Sequence, residues 1–147
     1  MIDETLGTEF VSNNEEEPVV LLQKIEINKI ALLFSAGWCP PSEKFIEKLT
    51  EFYNEVNKES KKFEIIYVSA DRDQEQFNEH FAKMPWVAIP FDDTERIERL
   101  EDLCEPEMIP KLCFLTRNAS EVTVDNAREI IEKAEDFAQA MEELGLN

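Results

Sequence analysis

Two patterns of apolar residues alternate along the chain: short unbroken runs, and longer stretches in which apolar positions recur every three or four residues. Ile30-Ala31-Leu32-Leu33-Phe34 contains no polar residue, as a strand covered on both faces requires. From Pro41 to about Lys58 the apolar positions are Phe45, Ile46, Leu49, Phe52, Tyr53 and Val56, which share one face of a helix. Phe63 to Ser69 reads as a second buried strand through Ile65, Ile66, Tyr67 and Val68. Asp71 to Met84 reads as a helix with Phe77 and Phe81 one turn apart, stopped by Pro85.

Val87 to Phe91 is a short apolar connection or strand. Thr94 then caps a helix running to about Cys104, with Ile97, Leu100 and Leu103 turned inward. Lys111 to Thr116 is a third strand, Arg117-Asn118-Ala119-Ser120 a hairpin turn, and Val122-Thr123-Val124 the returning strand. A last helix spans about Ala127 to Leu144, with a stripe of Ile130, Ile131, Ala134, Phe137, Ala138, Met141 and Leu144, and Gly145 just past its end. Near the start, Glu9-Phe10-Val11 forms a short strand and Ser12 to Pro18 a solvated turn or loop. Val19 to Leu22 fits strand or helix equally.

A strand, helix, strand succession implies parallel strands joined by a right-handed crossover, and the later hairpin adds antiparallel ones. The economical architecture is α/β, a mixed central sheet with helices on both faces. With 147 residues, residues 1–147 are read as a single domain, of which residues 1–18 are a loose acidic segment.

Charge narrows the partners. Fifteen Lys and Arg stand against 33 Asp and Glu, a net −18. That disfavours nucleic acid, which needs a basic footprint, and anionic membrane surfaces. It favours partners with basic surfaces. No apolar run approaches a membrane span, and Met1-Ile2-Asp3-Glu4-Thr5 lacks the features of a signal peptide. A cytoplasmic location follows, with a nuclear one also open. Three cysteines make no disulfide framework. With His80 the sole histidine and no close cysteine pair, no metal site is expected. No phosphate loop or dinucleotide fingerprint occurs, so no bound cofactor is expected.

The chemistry concentrates in Phe34-Ser35-Ala36-Gly37-Trp38-Cys39-Pro40-Pro41-Ser42, where a buried strand hands over to an amphipathic helix. Cys39 falls at the helix N-cap. Unpaired N–H groups and the positive end of the helix dipole favour its thiolate there. An N-cap side chain ordinarily accepts from the second or third helical N–H. Pro40 and Pro41 have none, so the first donor to the sulfur is the Ser42 N–H, with the Ser42 hydroxyl as a second. The two prolines also stiffen the turn and keep the sulfur exposed beside Trp38.

This segment resembles the Trp-Cys-Pro-Pro-Cys site of tryparedoxins and nucleoredoxins, within the thioredoxin superfamily. The resemblance extends through Tyr67-Val68-Ser69-Ala70-Asp71, Ala82-Lys83-Met84-Pro85-Trp86-Val87-Ala88-Ile89-Pro90-Phe91 and Ile109-Pro110-Lys111-Leu112. It implies a thioredoxin-like fold and thiol–disulfide exchange on protein disulfides, with Cys39 as nucleophile. Pro110 is then a cis-proline lying against Cys39, leaving the backbone of Ile109 open to an extended substrate. Trp38, Pro40, Pro41 and Trp86 line the surrounding surface, although Trp86 fits a core position equally well. Electrons come from a dithiol or glutathione-type reductant. Leu33 occupies the position where thioredoxins proper keep a buried acid, a trait tryparedoxin-like proteins share. Asp71, near a strand end, acts electrostatically or is a solvated loop carboxylate.

Ser42 stands where the family has its second, resolving cysteine. A mixed disulfide at Cys39 then accumulates until an outside thiol resolves it. Three readings stay open: a natural monothiol variant, an engineered Cys-to-Ser form, or a chain that has left catalysis and kept the groove for binding. In the last case it regulates a signalling or transcription partner through the surface around Cys39. Cys113 lies at an odd strand offset from Pro110, hence on the opposite face, and is read as buried and inert. Cys104, near a helix end, is read as a packing residue, with an intermolecular disulfide as the other reading.

Overall fold

A computed structural model describes residues 9–12, 15–20, 30–59, 63–115 and 122–146. Strands β1 (Glu9–Ser12), β2 (Glu15–Val20) and β3 (Ile30–Ser35) precede helix α1 (Pro40–Val56). Next come β4 (Glu64–Ser69), α2 (Gln74–Phe81), β5 (Val87–Ala88) and α3 (Thr94–Cys104). The remainder is β6 (Lys111–Leu115), β7 (Val122–Val124), α4 (Ala127–Lys133) and α5 (Phe137–Leu144). The described strands form one sheet in the order β2-β1-β5-β4-β3-β6-β7. β3, β4 and β5 run parallel and the other pairings are antiparallel. This is the mixed α/β sheet that the pattern predicts.

β3 sits inside the sheet because it has nothing polar to show on either face before Ser35. Leu33 pairs with Tyr67 of β4 on one side and Leu112 of β6 on the other. Alternation then sorts its residues. Ala31 and Leu33 face a core built with Phe45, Leu49 and Phe52 of α1, Phe77 and Phe81 of α2, and residues of α4 and α5. Ile30, Leu32 and Phe34 face a second core under α3, with Leu100, Cys104 and Cys113. Helices therefore cover both faces, and the end of β3 delivers the chain to the start of α1 at the sheet's C-terminal edge. Edge-to-face ring contacts, such as Phe52 with Phe63 at 5.9 Å and with Phe137 at 5.5 Å, add to the larger core.

Several boundaries differ from the pattern. The stretch from Ala127 to Leu144 is two helices, not one: Ala134 is extended (φ −64°, ψ 141°), and Asp136 caps α5 by accepting from the Gln139 N–H. A helical apolar stripe runs on through this point, but a carboxylate placed to cap restarts the helix. α3 is capped by Asp93, which accepts from the Arg96 N–H, and not by Thr94. α2 starts only at Gln74, where Asp73 accepts from the Gln76 N–H. The acidic run at 15–17 is strand, pairing with β1 in register Ser12 to Glu15, because sheet pairing outweighs weak local strand preference. The turn expected at Arg117–Ser120, Thr116, and Leu21 and Leu22 lie outside the described residues.

Candidate active site

The turn after β3 is fixed by its own backbone. The Cys39 N–H donates to the Ala36 carbonyl (3.2 Å), and the Ser42 N–H donates to the Cys39 carbonyl (3.0 Å). Cys39 is the N-cap of α1, extended at φ −103° and ψ 108°, and Pro40 and Pro41 fill the first two helical positions. Since neither proline has an N–H, the Ser42 N–H is the first donor of the helix, and the Cys39 carbonyl takes it. The Cys39 side chain makes no capping bond, so the expected bond from Ser42 to the sulfur is absent. The thiol turns instead to the Ile109 carbonyl and donates to it at 3.6 Å.

That turn also buries the sulfur. Cys39 is 8 % exposed, not held open beside Trp38 as the sequence suggests, because the segment ahead of β6 packs over it. The Ile109–Pro110 peptide is cis, as the resemblance implies, and Pro110 is buried. The geometry thus unites Cys39, Ile109 and Pro110. Ser42 follows Cys39 by three residues in the first turn of α1, which sets both on one side of the helix. Its hydroxyl is fully buried and has no hydrogen-bond partner among the described residues.

Arg128, in α4, was not legible as a site residue. It donates to the Pro110 carbonyl at 2.9 Å, pairs with Glu132 at 2.8 Å, and lies over the Phe45 ring. It pins the cis-proline segment from behind. The residue lies 18 positions further along the chain, so no local pattern marks it. Beside Pro110 an open groove of about 710 Å³ is lined by Cys104, Met108, Pro110, Lys111, Asp125 and Arg128, among others. Met108 is 75 % exposed there.

On the other flank, Trp38 is exposed at 42 % and held by its indole N–H, which donates to the Ala70 carbonyl (2.9 Å). The Arg72 guanidinium lies 5.5 Å from the ring centroid, within cation–π range. Pro40 and Pro41 are exposed beside it. Trp86 is a correction: it is 1 % exposed and packs edge-to-face on Tyr53 at 5.5 Å. It belongs to the core and lines no surface, because the chain reaches it on the way into β5 with the side chain turned under the sheet.

Asp71 is a correction too. It is no solvated loop carboxylate. It accepts from the Gly37 N–H (2.7 Å) and from the hydroxyls of Tyr67 and Ser69. It thereby ties the end of β4 to the turn before Cys39. Burial, with the bond to Asp71, holds the Tyr67 phenol far above its ordinary pKa. His80 closes this side, its Nε2 lying 2.9 Å from the Ser35 hydroxyl. Burial lowers its pKa below 6.5, more strongly than the Asp71 charge raises it. A side chain at Gly37 would meet Gln76 and His80 at 3.2 and 3.3 Å, so glycine lets α2 approach the turn. Among the described residues no three metal-ligating side chains cluster.

Comparisons with known proteins identify the family and the fold. A family model described as Thioredoxin-like matches residues 28–121. Probable nucleoredoxin 1 of Arabidopsis thaliana is 42 % identical over 107 residues, covering 73 % of this chain and 18 % of its own. The chain spans less than a third of the length of the curated nucleoredoxins it matches. Among solved structures, tryparedoxin II from Crithidia fasciculata aligns with a TM-score of 0.79 and 29 % identity, covering 92 % of this chain and 91 % of that one. Tryparedoxin II complexed with glutathionylspermidine aligns with a TM-score of 0.76 and 31 % identity, covering 88 % and 90 %.

Proposed function

The chain belongs to the thioredoxin-like family, in its tryparedoxin and nucleoredoxin branch, and from that premise we propose that Cys39 exchanges thiol for disulfide on protein substrates. One observation carries the reading: the thiol at the start of α1 faces the carbonyl that precedes the cis-proline. In the first step the Cys39 thiolate attacks one sulfur of a substrate disulfide. A mixed disulfide forms, and the other substrate sulfur leaves as a thiolate that takes up a proton. In this reading the Ile109 backbone, whose carbonyl accepts from the Cys39 thiol, pairs with the extended segment carrying that disulfide. Trp38, Pro40 and Pro41 form the rim on the opposite side.

Ser42 sets how the cycle ends. Its hydroxyl cannot displace a thiolate, so an outside thiol attacks the mixed disulfide and releases Cys39. The reductant is a dithiol or a glutathione-type thiol, and the complex of tryparedoxin II with glutathionylspermidine supports the glutathione-type one. The net charge of −18 favours substrates with basic surfaces. Nucleic acid and membranes are not among the partners we propose. We read residues 1–147 as a single domain working in a reducing compartment, the cytoplasm or nucleus. A second reading is favoured by the 8 % exposure of Cys39 and by the Ser42 hydroxyl, which has no partner among the described residues: a module that binds a regulatory partner through this surface and does not turn over.

Alkylation of Cys39 by iodoacetamide, followed against pH by peptide mass spectrometry, separates the two. An apparent pKa well below about 8.5, the value for a free thiol, supports exchange, as does a mixed disulfide trapped on a disulfide peptide. Sluggish alkylation with an apparent pKa at or above that value leaves the binding module.

A further inference from the structure

Cys104 and Cys113 meet on the face of the sheet away from α1. Cys104 is the last residue of α3, and Cys113 is the middle residue of β6, paired with Leu32. Both belong to the core under α3, and their sulfurs are 2.7 Å apart. That is closer than the about 3.5–4.0 Å at which non-bonded carbons settle. The corner is held by Lys111, whose ammonium donates to the Cys104 carbonyl at 2.8 Å and pairs with Asp125 at 2.7 Å. Cys113 is fully buried, whereas Cys104 is 4 % exposed and lines the open groove beside Pro110. An oxidant arriving through the groove therefore meets Cys104 first.

We propose that Cys104 and Cys113 form a second redox couple, which peroxide closes to an internal disulfide that clamps the loop carrying Ile109 and Pro110. The Cys104 sulfur attacks hydrogen peroxide, breaking its O–O bond. Sulfur keeps one OH as sulfenic acid, and the other leaves as water with the thiol proton. The Cys113 sulfur then attacks the sulfenic sulfur. The S–S bond forms, the S–O bond breaks, and a second water leaves with the Cys113 proton. Two thiols lose two electrons and one peroxide becomes two waters. The hydrogen bond that Cys113 donates to Cys104, with burial, raises the Cys113 pKa, while Cys104 is the one of the two that lines the groove. The closed ring spans residues 105–112, including the Ile109 carbonyl that accepts from Cys39. Exchange chemistry at Cys39 is not required, so the couple stands or falls separately from the proposed function.

The full chain is exposed to hydrogen peroxide, its remaining thiols are alkylated, and it is digested with trypsin without reductant. Lys111 lies between the two cysteines, so cleavage after Arg99, Lys111 and Arg117 puts them on separate peptides. The expected product is those two peptides joined, two hydrogens lighter than their sum and separated by reductant. It forms equally in a Cys39→Ser variant. Repeating the exposure in sub-denaturing urea provides access through local opening. Both peptides still alkylated in urea, or Cys104 over-oxidised with no joined product, overturns the couple. Amide exchange in residues 105–109 several-fold slower after closure supports the clamp, and unchanged exchange overturns it.

Discussion

Ser42 occupies a position whose chemistry is decided by one atom. It lies three residues into the Cys39 turn, fully buried, with no partner for its hydroxyl among the described residues, so a sulfur there is close to isosteric and loses no hydrogen bond seen there. Ser42→Cys is expected to leave the melting temperature nearly unchanged. It should raise multiple-turnover reduction of a disulfide peptide with excess dithiol by about tenfold or more, since an internal thiol replaces a bimolecular step; stopped-time product assays measure it. His80 supplies a second residue-level test. Burial holds its pKa below 6.5 with Asp71, Glu43 and Lys83 as the surrounding charges, so the unfolded chain binds the proton more readily than the fold. Stability is then intact above about pH 6.5 and declines as pH falls toward the folded value. His80→Gln, which can keep the bond to Ser35, should flatten the drop in melting temperature between about pH 7 and pH 5.5. An identical slope in both proteins would remove His80 as its source. Asp71→Ala leaves the Gly37 N–H without its acceptor and is expected to cost about 1–3 kcal/mol by urea unfolding.

The elements show what a sequence carries and what it hides. β3, α1, β4 and β6 were legible because each repeats one period for long enough: unbroken apolar runs inside a sheet, and Phe45, Leu49 and Phe52 along one face of a helix. Cys39 was legible as the α1 N-cap because two prolines mark the first turn. The direction of its sulfur was not, since that depends on Ile109, 70 positions away. Arg128 and the Cys104–Cys113 contact stayed hidden for the same reason, and Trp86 stayed undecided between rim and core: burial and long-range pairing are set by topology. The break between α4 and α5 was hidden differently. Its apolar spacing matches a continuous helix, and only Asp136 carries the signal. Asp136→Ala removes the bond to the Gln139 N–H, 2.8 Å in length. It is expected to cost about 1 kcal/mol, a fall of about 2–4 °C in melting temperature for a chain somewhat larger than this one. Thermal unfolding followed by circular dichroism reads it. No loss would mean that the packing of Ala140 and Leu144 alone starts the helix.

At the scale of the whole molecule, the net charge of −18 acts on stability and on encounter with opposite dependence on salt. Exposed ion pairs such as Lys58 with Glu55 and Lys133 with Glu129 recruit only part of an acidic majority, and each contributes little. The remaining carboxylates repel one another across a folded surface more than along an expanded chain. Raising ionic strength from about 0.01 M to 0.15 M shortens the screening length from about 30 Å to 8 Å. The melting temperature should therefore rise with sodium chloride, in contrast to a fold held by surface pairs. The same screening removes steering toward a basic substrate. Formation of the Cys39 mixed disulfide with a lysine-rich disulfide peptide should slow over that salt range, whereas an acidic peptide of equal length should react faster. Measuring both rates by stopped-flow cancels any effect of salt on the thiol itself, because the thiol is common to the two reactions. If the two peptides respond alike, the acidic surface lies too far from Cys39 to select its partners, and selection passes to the groove beside Pro110 and the Ile109 backbone.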